Sequence, residues 1–334
     1  MKWRLFVWVF AAAVVAVAAS YAGAADKAAM TPATIRLDFI LGGKHAPWFV
    51  AAEKGFYAKR GINAKIQAGT GSADTIKAVA AGLADFGYAD LTTTIVSRSR
   101  DTQVRAVAQL GYVATTILWR EETPIKTLKD LEGKSFAISP GQAQWYLMPA
   151  FCRLNNIDFK SIKIQETAPA LQPAALVAKK VDFIAMFRAS NDEVAEIAAA
   201  KQGIKLKRVY LKDNGLDIYG SSLIVKDDDI KRRPDFVRAY VEGTMEGLRY
   251  VREHQDEALA ILLKEKPELD RELMRLQLKN GVEEIFFPPE SLQSGLGYMK
   301  PDIMDKTVKI TNEFFDVGRK VTVDEVYTNQ FVKK

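Results

Sequence analysis

The chain is poor in the side chains from which secreted enzymes and disulfide-stapled domains are built. Its 334 residues hold one cysteine, Cys152, and two histidines, His45 and His254. A single cysteine excludes an intramolecular disulfide, and its apolar setting (Ala150-Phe151-Cys152-Arg153-Leu154) reads as the buried face of a helix. There is no His-Glu-x-x-His zinc pattern, no Gly-Lys-Ser/Thr phosphate loop and no Gly-x-Gly-x-x-Gly dinucleotide turn. Charge of one sign is scarce too: the net charge is +6, with basic residues scattered among acidic ones. The short cluster Lys231-Arg232-Arg233 reads as a solvated loop before Pro234, so no stripe for a nucleic acid is expected. No cofactor or metal is expected, and binding is suggested more strongly than turnover. A carboxylate-only reaction around Asp38 and Asp90 is the enzymatic alternative.

Long apolar runs are missing everywhere but at the start. Lys2 and Arg4 precede an alanine-rich run, Leu5 to Ala19, and Ala22-Gly23-Ala24 places small residues at a cleavage site. That run is shorter than the roughly 20 residues needed to span a bilayer. Residues 1–24 are therefore expected to be a signal peptide, and the location periplasmic. No cysteine follows for lipid modification, and losing Lys2 and Arg4 lowers the net charge to +4. The remaining ~310 residues exceed what one core comfortably serves, which predicts two domains.

What is present is alternation. Strand-length apolar runs (Arg36–Leu41, Ala64–Gln67, Asp85–Tyr88, Arg105–Val113, Thr116–Trp119, Ser135–Ile138, Ile162–Gln165, Asp182–Met186, Lys207–Leu211, Ser221–Val225) alternate with helical patterns (Pro47–Arg60, Ser72–Gly82, Leu91–Ser99, Gln142–Asn155, Pro169–Lys179, Asn191–Ala200). Such a pattern predicts an α/β fold of mainly parallel sheets flanked by helices. From Pro234 onward helical periodicity dominates, with Val321-Thr322-Val323 as a late strand-like run. There is no internal repeat and no low-complexity linker. These shifts predict a discontinuous first lobe (25–115 and 222–334), a second lobe (116–221), and crossings near Val113–Trp119 and Leu216–Ser222 that suit a hinge. Two turns open helices with small residues, Gly69-Thr70-Gly71-Ser72 and Ser139-Pro140-Gly141-Gln142, and each would aim backbone N–H groups at a polar ligand.

Several motifs in order carry a resemblance: Leu37-Asp38-Phe39, His45-Ala46-Pro47-Trp48-Phe49, Ala52-Glu53-Lys54-Gly55-Phe56-Tyr57, Gly69-Thr70-Gly71-Ser72, Ala80-Ala81-Gly82-x-Ala84-Asp85-Phe86-Gly87, Leu128-x-Asp130-Leu131-x-Gly133-Lys134 and Tyr327-Thr328-Asn329-Gln330-Phe331. The chain resembles periplasmic solute-binding proteins of ABC importers, in the branch of thiamine-pyrimidine-precursor and nitrate/sulfonate/taurine binders. That resemblance implies a two-lobed (type II) fold, a ligand cleft between lobes, an inner-membrane permease as partner and a monomeric carrier. The spacing from Asp38-Phe39 to His45 and Pro47 leans toward the pyrimidine-precursor branch, although Phe39 stands where that branch commonly has tryptophan. A related enzyme of the branch carries a cysteine-rich motif; Gly215 to Val225 has no cysteine, which favours binding over synthesis.

Ligands of two-lobed α/β binders lie at the carboxyl ends of strands and the amino ends of helices. On the first lobe this selects Asp38, Phe39, His45, Trp48, Gly71, Ser72 and Asp90. Phe39 would stack on a flat ring or fill a core position. Asp38 would accept from an amino group or tie down its loop. His45 would touch ligand or cap a loop, and Trp48 would do either that or pack the lobe. Gly71-Ser72 is a helix-opening turn under either role, and Asp90 caps the next helix or reaches the cleft. On the second lobe the candidates are Ser139, Gly141, Gln142 and Phe187, with Tyr219 as hinge, lid or packing residue. Glu283-Glu284 reads as a solvated face. The expected ligand is a pyrimidine-type thiamine precursor or other planar heterocycle or aromatic. An organosulfonate, nitrate or related oxyanion is the alternative, with Arg188 as its cation. A secreted enzyme and a sensory input module are the readings of other classes.

Overall fold

The computed structural model describes residues 30–333, so the expected signal segment 1–24 lies outside the described residues. Ten strands run in chain order as β1 (Thr31–Arg36), β2 (Ile62–Gln67), β3 (Phe86–Asp90), β4 (Val104–Gln109), β5 (Thr115–Arg120), β6 (Ser135–Ile138), β7 (Lys163–Glu166), β8 (Phe183–Phe187), β9 (Leu206–Tyr210) and β10 (Ser221–Lys226). They form two five-stranded sheets, ordered β2-β1-β3-β10-β4 and β7-β6-β8-β5-β9. In each sheet one strand runs against the other four: β10 in the first and β5 in the second.

The odd strands have a physical cause. β5 and β10 are the strands that follow a crossing from one sheet to the other. Each enters its sheet from the side where the resident strands end, and so must run opposite to them. The two crossings lie side by side as an antiparallel ribbon. Val113 N donates to Ile218 O at 3.0 Å, Gly220 N donates to Gly111 O at 2.9 Å, and Tyr112 bridges Tyr219.

Helices cover the sheets: α1 (Ala46–Glu53), α2 (Ser72–Ala80), α3 (Leu91–Arg98), α4 (Gln144–Leu154), α5 (Gln172–Val177) and α6 (Asn191–Ala200). The helical tail comprises α7 (Asp227–Arg232), α8 (Pro234–Glu253), α9 (Gln255–Glu265), α10 (Arg271–Asn280), α11 (Pro289–Ser294), α12 (Pro301–Phe314) and α13 (Val323–Val326), with a π-helical turn over Gly281–Phe286 after α10. No helix among the described residues is long and apolar enough to cross a membrane. One core gathers Ile35, Leu37, Trp48, Phe86, Tyr88, Leu223, Tyr240 and Leu248. A second is built on Ile117, Phe136, Leu147, Phe151 and Phe183, and it also takes Val96 from α3 and Phe315 after α12.

Several sequence expectations move. β1 ends at Arg36, where the expected strand Arg36–Leu41 would have begun. Ala33, Ile35 and Leu37 alternate inward, and Pro32 is tolerated because β3 pairs only with the far end of β1, at Ile35 and Arg36. Asp38 and Phe39 therefore stand in the loop beyond the strand end, at the cleft. β4 stops at Gln109, and residues 110–113 form the ribbon. The helix expected over Pro47–Arg60 ends at Glu53, and that over Pro169–Lys179 is a 3-10 turn, Pro169–Leu171, followed by α5. Val321-Thr322-Val323 forms no strand: Thr322 caps α13, and the tail beyond it touches the first sheet through one bridge, Ala106 to Tyr327.

Candidate functional site

The carboxyl ends of the parallel strands of both sheets face a common cleft. Asp38 and Phe39 follow β1, Gly71 and Ser72 open α2, Gln142, Ala143 and Gln144 open α4, Met186 and Phe187 end β8, and Ser190 and Asn191 open α6. Together they line about 320 Å³ of empty space, part of it open to solvent. Phe39 faces it from the first lobe and Phe187 from the second, and the other polar side chains besides Asp38 are hydroxyls and amides. The lobes meet here, where Ala73 N donates to Gly141 O at 3.4 Å. Gln142 braces its own turn: its Oε1 accepts from Ser139 N at 3.0 Å and from Gln172 Nε2 at 2.8 Å.

Asp38 anchors a buried cluster at the floor. Its Oδ2 accepts from Lys44 Nζ at 2.7 Å and its Oδ1 from His45 Nε2 at 2.8 Å. Gly42 N donates to His45 Nδ1 at 3.0 Å, so Nε2 carries the imidazole proton. Burial pushes the Asp38 carboxyl up, but Lys44 and His45 more than offset this and hold it at about 2. Burial lowers the His45 pKa, so the ring is neutral at pH 7 with both nitrogens engaged. The loop can lie this deep because Gly43 has no side chain. A Cβ there would fall 2.0 Å from Met274 O on α10. Gly43 N instead donates to Gln277 Oε1 at 2.9 Å, and Gln277 Nε2 donates to Ser190 O of the second lobe at 2.6 Å.

The second lobe answers with a charge network just behind the cleft. Buried Ala189, at φ 58, occupies the left-handed region and turns the chain sharply after β8. Phe187 consequently lines the cleft while Arg188 points away from it. Arg188 donates twice to Glu284 on the π-helical turn, at 3.1 and 2.8 Å, and reaches Asp192 at 3.1 Å and Glu193 at 2.9 Å. Glu284 is thus half-buried in an ion pair between lobes and not on a solvated face. Asn280 Nδ2 adds a bond to Glu193 Oε1 at 2.7 Å. Burial, and then the neighbouring Asp192 charge, raise the Glu193 carboxyl to about 7.

That shift has a sign. The folded protein keeps the Glu193 proton to about pH 7, whereas a free carboxyl loses it near 4.5, so Glu193 erodes stability as pH rises through that window. Glu193→Gln, which cannot ionise, is expected to flatten this part of the curve. Relative to wild type its urea midpoint should be higher at pH 8 than at pH 5. An identical difference at both pH values would show that Glu193 does not titrate there.

Of the residues selected from sequence, Asp38, Phe39, Gly71, Ser72, Gln142 and Phe187 line the cleft. Gly141 sits across from Gly71. Ser139, half-buried, stands behind Gln142 and is not among the lining residues. Asp90 caps α3 through Thr93 N and lies under Ser72. His45 is fully buried and reaches the cleft only through Asp38. Trp48 is fully buried in the first core, its ring centroid 4.6 Å from that of Tyr88. Tyr219 belongs to the hinge ribbon, where its hydroxyl accepts from Lys300 N at 2.9 Å. Sequence reasoning passed over Lys44, Ser190 and Asn191. For the last two a signal existed: Ser190 and Glu193 form a capping box that marks a third helix opening after a strand.

The profile of the family described as NMT1/THI5 like matches residues 43–258. A riboflavin-binding protein, RibY of Chloroflexus aurantiacus, is 26% identical over 309 residues, covering 90% of this chain and 85% of that protein. A formylaminopyrimidine-binding protein of Halalkalibacterium halodurans is 20% identical over 254 residues, or 75% of this chain and 76% of that one. Among solved structures, the periplasmic aliphatic sulphonate binding protein SsuA of Escherichia coli superposes with a TM-score of 0.67 at 18% identity, covering 91% of this chain and 92% of that one. At that identity the likeness shows the fold alone, that of a two-lobed periplasmic binding protein.

Proposed function

The chain belongs to the NMT1/THI5-like family, and on that premise we propose that it is the periplasmic substrate-binding component of an ABC importer. It captures a planar nitrogen heterocycle between residues 25–115 with 222–334 on one side and 116–221 on the other, and delivers it to an inner-membrane permease. Ligand favours the closed state because only then do both lobes touch it. The observation that carries this reading is the lining of the cleft: one phenylalanine from each lobe, with the amides and hydroxyls of Ser72, Gln142, Gln144, Ser190 and Asn191 around them. Two aromatic faces suit a flat ring, each contact adding roughly 0.5–1.5 kcal/mol beyond burial. Neutral polar groups suit the donors and acceptors on a heterocycle's edge.

An oxyanion is less well served. Arg188, the guanidinium that would hold it, is engaged by Glu284, Asp192 and Glu193. Binding without turnover is supported in the same way. Both nitrogens of His45 are occupied, and burial pushes the Cys152 thiol up to about 12, where it is no nucleophile.

The test is a thermal-shift panel on protein unfolded and refolded to strip carried-over ligand. Riboflavin, formylaminopyrimidine, uracil and aromatic acids would be set against alkanesulfonates, nitrate and bicarbonate. A ligand at a hundred times its Kd stabilises by ~2.7 kcal/mol, a shift of a few degrees in a protein of this size. A heterocycle is expected to shift the melting temperature. A response to sulfonate or nitrate alone would sink the heterocycle reading.

A further inference from the structure

Below the cleft two buried side chains of opposite charge carry unspent hydrogen-bonding capacity. Lys44 is 2% exposed, and among the described residues Asp38 is the one hydrogen-bond acceptor of its ammonium. Its Nζ lies 5.6 Å from the ring centroid of Tyr88 on the first lobe and 5.6 Å from that of Phe187, which lines the cleft from the second. The ammonium is therefore at the boundary between lobes, with two N–H bonds facing aromatic rings or open space. Asp90, 1% exposed, is complementary. Its Oδ1 is saturated by Thr92 Oγ1, Thr93 N and Thr93 Oγ1 at 2.6, 2.7 and 2.8 Å, whereas Oδ2 is buried with no partner among the described residues. Tyr88 and Asp90, two residues apart on β3, share one face of the strand. The Asp90 backbone N donates to the cleft-lining Ser72 Oγ at 3.1 Å, which places the residue directly behind the cleft wall. Burial and the Asp38 charge both raise the Asp90 carboxyl, as expected for an anion with too few donors.

A buried carboxylate oxygen with no donor costs free energy, and native structures rarely tolerate one unless something satisfies it; the Lys44 ammonium, paired with Asp38 alone, has donors to spare nearby. We propose that Lys44 and Asp90 form a polar subsite at the floor of the cleft that reads the edge of the ligand ring, Lys44 donating to a ring carbonyl and Asp90 accepting from the adjacent ring N–H. The ligand class is thereby narrowed to uncharged rings with a carbonyl beside an N–H, as in an imide or lactam. This rests on the heterocycle reading above and deepens it. Phe39 and Phe187 select flatness, and the floor selects the hydrogen-bonding edge.

Two matched probe pairs test it, uracil with 1,3-dimethyluracil and riboflavin with 3-methylriboflavin, methyl groups replacing every ring N–H that stands beside a carbonyl. Titration calorimetry would use the wild-type protein, Asp90→Asn and Lys44→Met. In the wild type, methylation of whichever ring binds is expected to weaken binding at least tenfold. Asp90→Asn should bring the two members of a pair within about threefold of each other. Lys44→Met should weaken the unmethylated ring by roughly tenfold to a hundredfold, the cost of a hydrogen bond to a charged group. Equal binding of both members by the wild type, or variants that bind within twofold of it, would overturn the subsite. If neither pair binds at all, the imide or lactam class proposed here is overturned, whereas the heterocycle reading stands or falls separately with the thermal-shift panel. Asp90→Asn retains the oxygen that caps α3, so its melting temperature should be no lower than that of the wild type. A fall of several degrees would show that Oδ2 holds the fold and overturn the proposal.

Discussion

Alanine at position 71 is expected to weaken ligand capture by roughly one to two orders of magnitude while lowering the melting temperature of the ligand-free protein by only a few degrees. Gly71 precedes α2 at the point where the first lobe meets the second. A Cβ on it would stand 2.5 Å from Gly141 O and 3.0 Å from Gly141 C, which are backbone atoms of the opposite lobe and cannot rotate aside. The lobes would have to stop several tenths of an ångström short of closure. Binding then requires a state that has become rare, and apparent affinity falls by the fraction of molecules still able to close; a closed population of about 1–10% gives the expected loss. The Gly71 φ of 156 adds a local backbone penalty. Gly141→Ala separates the two effects. Its φ is 88, yet an added Cβ would meet nothing within 4 Å, so it should carry the backbone strain without the obstruction. Calorimetry with the hit from the thermal-shift panel, and small-angle scattering with and without it, are the measurements. Wild-type affinity and wild-type compaction in Gly71→Ala would show that the lobes do not close through this contact.

Removing the guanidinium at position 188 should be the most damaging single change to stability, about 3–5 kcal/mol for Arg188→Met. The side chain is 6% exposed and answers Glu284, Asp192 and Glu193, two of which are themselves buried. Methionine restores most of the volume, so the loss comes from carboxylates stranded without a cation rather than from a cavity. Arg208 remains, 2.7 Å from Asp192, but it makes no hydrogen bond to Glu284 or Glu193 among the described residues. The penalty should grow with pH, because Arg188 favours the ionised forms that burial disfavours. It should be smaller at pH 5, where Glu193 carries its proton, and largest above pH 7. Combining Arg188→Met with Glu193→Gln should recover part of the loss. Urea unfolding at the two pH values provides the comparison, and a loss below about 1 kcal/mol at pH 8 would contradict the assigned role. An effect of the expected size is a large part of the stability of an ordinary domain.

Much of the fold was legible because its rules are local. Strand-length apolar runs separated by helical periodicity marked nine strands nearly in place. Small residues after a strand marked the turns at Gly71-Ser72 and Gly141-Gln142. The exception among strands is informative. Leu37 to Leu41 is apolar enough for a strand, but β1 pairs with β2 from Thr31, and the pairing register ends it at Arg36. Apolar character cannot tell a strand from the loop that follows it, even though here Ile40 is exposed and Phe39 and Leu41 are half-buried.

The candidate site was legible only in outline. His45 and Trp48 sit in the motif that carries the family resemblance, yet both are fully buried, His45 orienting Asp38 and Trp48 packing on Tyr88. A motif records which residues the fold requires near a site, not which of them face the ligand. Lys44 follows Gly42 and Gly43, and nothing in that local sequence marks it as buried. It is buried because Asp38, six residues earlier, supplies the counter-charge.

By itself, then, the sequence determined the α/β class, the two-part organisation, the short crossings, and the helix-opening turns that line the cleft. Each of these follows from composition and periodicity within windows of ten or twenty residues. Only the tertiary structure decided that Arg188 is spent on Glu284, 96 positions away, that Gly71 abuts Gly141, that Lys44 is buried against Asp38, and that Asp90 keeps one carboxylate oxygen without a partner among the described residues. The reason is physical. A side chain's direction and its counter-charge are set by packing between segments distant in the chain, and no local pattern encodes which distant partner will be brought within 3 Å.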